Sequence, residues 1–176
     1  MKKINAGCGP IYMDGWINID ISAVHRTEIC ADILTLDFNG IEAILATHML
    51  EHLAFPDDAL KALKLFYKWL KPDGILRIAV PDLELACRAY CQNSDLKFLY
   101  GDGFKGYYHN DTAGERLNFF VKAWNHQHCY DYTTLKVLLE EAGFTRIGKR
   151  NANESLIENF NHDRFISESL YVESIK

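Results

Sequence analysis

Two apolar runs, Ala43-Ile44-Leu45-Ala46 and Ile75 to Val80, bracket one amphipathic segment, and that arrangement leaves few folds open. Continuous apolar runs of this length suit strands that are buried on both faces of a sheet. The segment between them reads as a helix. Pro56 suits a first turn, Asp57 and Asp58 complement the positive end of the helix dipole, and Lys64, Lys68 and Lys71 bring positive charge toward the other end. Leu60, Leu63, Tyr67 and Leu70 recur at helical spacing and predict the buried face. Pro72-Asp73-Gly74 then stops the helix and turns the chain into the second strand, which Pro81 ends. A strand, a helix and a strand in that order predict a parallel pair joined by a crossover.

The rest of the chain extends this rhythm. Lys3 to Ala6, Trp16 to Asp20 and, more weakly, Glu28 to Cys30 read as strands. A second helix is predicted from about Thr133 to Ala142, with Leu135, Leu138, Leu139 and Ala142 inward and Gly143 as its C-terminal cap. Phe144–Lys149 and Ser169–Ile175 are the last two strand candidates. The expected class is α/β, with a mostly parallel sheet covered on both faces. One domain is expected over 1–176, with an inserted cap at about 83–130. That insert breaks the alternation and holds 10 of the 22 aromatic residues: Tyr90, Phe98, Tyr100, Phe104, Tyr107, Tyr108, Phe119, Phe120, Trp124 and Tyr130. Such a segment can lie over the C-terminal edge of the sheet, where open α/β sheets bind ligands, or serve as a helical packing layer.

Charge and composition narrow the function. A net charge of −5 argues against an extended nucleic-acid surface, which needs a clustered basic face. Asn5, Gly7, Gly9, Pro10 and Asp14 follow the basic start at once, so no secretory h-region forms. No run approaches the roughly 18 apolar residues of a membrane span, and a cytoplasmic protein is expected. The five cysteines form no paired CxxC motif and read as reduced thiols. Cys87 and Cys91, one helical turn apart, are expected in the core.

Gly7-Cys8-Gly9 follows the first strand, and a glycine pair there lets backbone approach a ligand closely. A dinucleotide fingerprint needs a third glycine three residues after Gly9, where Tyr12 stands, which weighs against an NAD-dependent oxidoreductase. Asp20 ends the second strand, where a carboxylate can accept hydrogen bonds from both ribose hydroxyls of a nucleoside. Asp32 follows the third strand and could meet an adenine amino group. A solvated turn or a helix cap is the alternative for either Asp.

Ile4-Asn5-Ala6-Gly7-Cys8-Gly9-Pro10 and Gly15-Trp16-Ile17-Asn18-Ile19-Asp20 resemble the first two motifs of class I S-adenosylmethionine-dependent methyltransferases. Met49-Leu50-Glu51-His52-Leu53, the stretch from Leu70 to Glu84, and His126 through Phe144 agree in order. The chain is most similar to small bacterial predicted methyltransferases of the methyltransferase type 11 family. The resemblance implies a three-layer Rossmann-like sheet of seven strands whose last strand is reversed, with S-adenosylmethionine bound across the ends of the first four. It implies donor contacts from Asn5, Ala6, Gly7, Cys8 and Gly9, from Asp20 and Ile21, from Asp32 and Ile33, and from Thr47 and His48. The family often has an acid where this chain has Asn5, which can hydrogen-bond but carries no charge. The link from Gly9 to Trp16 is too short for a crossover helix, so a single turn is expected. No helix is expected before the first strand, and the expectation is a more open donor site or one that a partner chain, as in a homodimer, closes.

Methyl transfer needs an aligned nucleophile and exclusion of water, and a hydroxyl acceptor also gains from a general base. Of the seven histidines, His48 and His52 flank Glu51 after the fourth strand, and His126 and His128 precede Tyr130-Asp131. If a helix starts at His48, His48 and His52 share one face. His48 is the first choice to line the transfer site, by its ring or by its backbone. Glu51 and His52 either act there or cap neighbouring loops. His126 is the preferred base, His128 the second, and hydrogen bonding that fixes the cap is the alternative for both. His48-x-x-Glu51-His52 is similar to the ExxEH metal motif of small-RNA 3′-terminal methyltransferases, with His for the first Glu. The flanking motif of that group is not matched, and a metal-free site is expected. The leading expectation is methylation, most simply at oxygen, of a small-molecule or glycan-type acceptor. The alternatives are a non-catalytic donor-binding partner subunit and, less favoured, an NAD-dependent oxidoreductase.

Overall fold

In the computed structural model, which describes residues 2–94, 96, 99, 109 and 111–176, seven strands form one sheet. They are β1 (Lys3–Ala6), β2 (Ile17–Asp20), β3 (Ile29–Cys30), β4 (Ile41–Thr47), β5 (Leu70–Pro81), β6 (Arg146–Arg150) and β7 (Ser169–Ile175). The order is β3-β2-β1-β4-β5-β7-β6. β3, β2, β1, β4 and β5 run parallel, and β7 lies antiparallel between β5 and β6. This is the mixed sheet with a reversed C-terminal strand that the resemblance implies.

The crossover between β4 and β5 is α1 (Asp57–Trp69). Asp57 and Asp58 lie in its first turn and Lys68 in its last, as the dipole favours. Its buried face is Ala59, Ala62, Leu63, Phe66 and Trp69, one residue around from the predicted stripe. The small Ala59 and Ala62 allow close approach to the sheet, so Leu60 and Tyr67 move to the flank and are only partly buried. Leu70 is already strand and pairs with Ile41. The register then jumps to Ala43 opposite Ile75, so Lys71–Gly74 leave the ladder as an excursion within β5 rather than as a separate turn. Asp73 adopts a left-handed conformation there (φ 61°).

The two faces of β4 pack against different partners. Ile44 and Ala46 join the main core with Phe66, Trp69, Leu135 and Leu139, the last two from α4 (Tyr132–Ala142). Ala43 and Leu45 meet Met13, Ile157 and Phe160 from irregular segments, so coil rather than helix covers that side of β4. Arg77 of β5 holds this cover in place although it is fully buried. Its guanidinium donates to Asp163, to Glu173 (2.9 Å) and to the carbonyls of Glu154 (3.0 Å) and Asn151 (3.2 Å).

Between β5 and β6 the chain forms α2 (Leu83–Cys91) and α3 (Ala113–Lys122), which share a small core of Ala86, Ala89, Leu96, Leu99, Phe120 and Cys129. Cys87 and Cys91 do lie one turn apart on α2, but both are exposed, because Ala86 and Ala89 occupy the inward face. Phe98, Tyr100, Phe104, Tyr107 and Tyr108 of the aromatic segment lie outside the described residues. No described helix is long and apolar enough to cross a membrane.

Candidate active site

A crevice of about 350 Å³ opens where β1, β2, β3 and β4 end. The two glycines after β1 serve it differently. Gly7 (φ 63°) is pressed by Met49: a Cβ there would lie 2.3 Å from Met49 Cγ. Gly9 (φ 51°) has no atom within 4 Å of that position and leaves its side of the crevice open. From Gly9 the chain reaches β2 by turns alone, closed first by the Ile11 N–H to the Cys8 carbonyl (2.9 Å).

Asp20, at the end of β2, accepts from the Gly9 N–H (2.8 Å) on one oxygen and from the Ser22 N–H (2.8 Å) on the other. A carboxylate offers about four lone-pair sites, so two remain for a ligand. Asp32 also lines the crevice, while its Oδ1 caps the 3₁₀ turn Ile33–Thr35 through the Leu34 N–H (2.9 Å). The cap and the ligand-facing position therefore coexist in one residue.

Gly7, Gly9, Asp20, Ile21, Asp32, Ile33 and His48 line the crevice, as the sequence reading places them. Asn5, Ala6, Cys8 and Thr47 do not. Asn5 is 2% exposed, and its amide donates to the Ile11 carbonyl (2.8 Å) and to Asn18 Oδ1 (2.9 Å), so it braces the turn from behind. Ala6 is fully buried, and the Cys8 thiol points to the carbonyls of Gly9 and Arg26, where burial and the Asp20 charge push it up to about 11. Thr47 Oγ1 is buried behind the strand end. Met49 and Leu53 join the lining without having been expected; the glycine clash with Met49 is a contact between segments that only folding brings together.

His48 does not begin a helix. It sits in the left-handed region (φ 50°), its N–H donates to the Ala79 carbonyl (2.8 Å), and only a single 3₁₀ turn, Leu50–His52, follows. His48 and His52 nevertheless line the same crevice. The His48 ring pairs with Ser169 Oγ through Nε2 (2.7 Å) and packs on Phe165. Burial, then the neighbouring His126 and His52, push its pKa down to about 4.

Glu51 is fully buried, and neither carboxylate oxygen has a hydrogen-bond partner among the described residues. His48 Nδ1 lies 3.4 Å from Oε1, close enough for attraction but not aligned as a hydrogen bond. Burial raises the Glu51 pKa to about 8. The Glu51 backbone carbonyl accepts from the N–H groups of Gln127 (2.8 Å) and His128 (3.3 Å), which docks the segment after α3 on the Leu50–His52 turn. That segment arrives through two left-handed residues, Trp124 (φ 48°) and Asn125 (φ 64°). It places the His126 ring 5.0 Å from the His52 ring, edge to face. His126 Nδ1 donates to the Phe120 carbonyl (3.1 Å), and burial followed by His52 holds its pKa near 4. His128 goes elsewhere: it stacks on Phe55 at 3.7 Å and meets the edge of Tyr130.

A profile described as a methyltransferase domain matches residues 15–147, and the chain belongs to that family. No curated protein matches at a significant level. Among solved structures, the chain is similar to a SAM-dependent methyltransferase from Archaeoglobus fulgidus (15% identity, TM-score 0.61), covering 99% of this chain and 86% of that one. It is also similar to the N-methyltransferase NodS from Bradyrhizobium japonicum, solved with S-adenosylhomocysteine (13% identity, TM-score 0.55, 99% and 77% covered). The methyltransferase SibL shares the fold at 15% identity and a TM-score of 0.58, with 99% of this chain covered and 50% of that chain. The fold is that of S-adenosylmethionine-dependent methyltransferases. The class-level resemblance read from the motifs is correct; the matching profile does not single out the type 11 group.

Proposed function

We propose that the chain transfers a methyl group from S-adenosylmethionine, held in the crevice, to an oxygen of a small-molecule or glycan-type acceptor. The observation that carries this reading is the Asp20 carboxylate, fixed by two backbone donors beside the open face of Gly9. Its spare lone pairs suit the paired hydroxyls of a ribose, and Asp32 and Ile33 suit the adenine beyond it. The bound sulfonium supplies an already activated methyl group, so alignment and exclusion of water are the main tasks left to the protein.

His48 and His52 line the crevice and would face the acceptor, with the His126 ring packed edge to face on His52 and Glu51 buried beside His48. The acceptor proton would pass to an imidazole beside the crevice, with His126 as the first candidate and His128, which stacks on Phe55 apart from this group, as the second. Imidazoles held near 4 are neutral at physiological pH but weak as bases, so positioning carries most of the rate. The segment at about 83–130 would act as the cap on this side, since it ends in the strand-like contact of Tyr130 with Asp82 and delivers His126. A homodimer would close the opposite end, where Ile21 (73% exposed) and Val24 stand free of the core. Calorimetry with S-adenosylhomocysteine tests the donor site directly: saturable one-to-one binding is expected, and none at millimolar ligand would overturn the reading.

A further inference from the structure

Glu51, His52 and His126 bring one ligand atom each to within 4.8 Å of one another. We propose that these three side chains bind one divalent transition-metal ion. The site goes beyond donor binding and does not depend on it; an ion there takes the one His126 lone pair that could otherwise accept the acceptor proton, so the two roles of His126 are alternatives.

The first argument is the state of Glu51. A carboxylate that is fully buried, with both oxygens lacking a hydrogen bond, is costly unless something of opposite charge meets it. No Lys or Arg among the described residues pairs with it, and the His48 ring, 3.4 Å away, is misaligned. A cation would satisfy the carboxylate where the protein does not.

The second argument is the orientation of the imidazoles. Metal-bound histidines characteristically donate their other ring N–H to a carbonyl or carboxylate, which fixes the tautomer and the ring plane. The Phe120 carbonyl can only accept, so His126 carries its proton on Nδ1 and leaves Nε2 as a lone pair. The His126 ring is thus held by a backbone carbonyl with Nε2 left to act as a ligand, and the His52 ring packs edge to face against it at 5.0 Å.

Distances and donor chemistry agree. Tetrahedral bonds of about 2.1 Å separate ligand atoms by roughly 3.4 Å, so the group needs to close by no more than about 1.4 Å through side-chain rotation. Two imidazoles and one carboxylate suit Zn²⁺, Mn²⁺ or Fe²⁺ better than Mg²⁺ or Ca²⁺, and three protein ligands leave a coordination position open. Since His52 lines the crevice, that position would be reachable from it. The proposal departs from the metal-free expectation: the partner of Glu51-His52 in it is His126, which the sequence places far away.

The test uses the full chain, stripped with a chelator and titrated with Zn²⁺, then with Co²⁺, whose visible absorption reports its ligands. One equivalent is expected to bind and to raise the melting temperature. Glu51→Gln and His126→Ala should each weaken binding by about tenfold or more, whereas His162→Ala, an exposed histidine outside the group, should bind like the parent. Circular dichroism checks folding; if Glu51→Gln does not fold, His52→Ala and His126→Ala decide. No saturable binding up to millimolar metal would overturn the proposal and leave Glu51 as a neutral acid. One equivalent that survives both the His52 and His126 substitutions would overturn it as well.

Discussion

The Gly9 N–H donates to Asp20 Oδ2 at 2.8 Å, so the turn after β1 and the acid after β2 form one unit rather than two separate motifs. Asp20→Ala removes both the ligand-facing carboxylate and the brace on Gly9. Hydrogen bonds to a charged group contribute about 1.5–3 kcal/mol, so S-adenosylhomocysteine affinity is expected to fall roughly 10- to 100-fold. Titration calorimetry measures this, and Asp20→Asn should lose less. An unchanged dissociation constant for the Ala variant would remove Asp20 from the site.

Gly7 and Gly9 should respond in opposite ways. In Gly7→Ala the new Cβ meets Met49 in a conformation unfavourable for an L-residue, and a loss of about 2–3 kcal/mol is expected in urea unfolding. Gly9→Ala meets nothing in the protein, so its cost is backbone strain alone, about 1 kcal/mol. Its larger effect should be on donor affinity, because the methyl group projects where a ligand would approach.

Arg77→Met leaves Asp163 and Glu173 buried without their shared cation. Removing one partner of a buried ion pair typically costs about 3–5 kcal/mol, and unfolding should shift by that amount. Limited proteolysis should first cut within 151–163, which Arg77 pins to the sheet through two carbonyls and Asp163. Cleavage that starts elsewhere would contradict this account of the coil cover.

Thiol chemistry should divide the five cysteines. Cys30, Cys87 and Cys91 are exposed, whereas Cys8 and Cys129 are buried and pushed up to about 11, chiefly by desolvation. A thiol-reactive chromophore at neutral pH should count three groups in the native chain and five in denaturant. Fast labelling of Cys8 would mean that the turn after β1 opens readily.

Much of the architecture can be read locally. The α1 block carries its own start, periodicity and stop, and the Gly143 cap ends α4 in the left-handed conformation that glycine favours (φ 110°). The rotation of α1 by one residue was not legible, because it depends on how closely Ala59 and Ala62 let the helix approach strands that lie elsewhere in the sequence. The same limit applies to Cys87 and Cys91: their spacing gives the helix, but not which face meets α3.

For the site, sequence alone determined the positions around the glycine turn, because short-range backbone demands put Gly9, Asp20 and Asp32 at successive strand ends. Folding decided their company. Asn5 turns away from the crevice because Ile11 and Asn18 engage its amide, and His48 leaves helical geometry because its N–H pairs with Ala79 of the neighbouring strand. Glu51 meets His126 only because the segment after α3 docks on the Glu51 carbonyl. Periodicity and capping are properties of neighbouring residues, whereas burial, unmet charge and ring orientation come from residues that become neighbours in space.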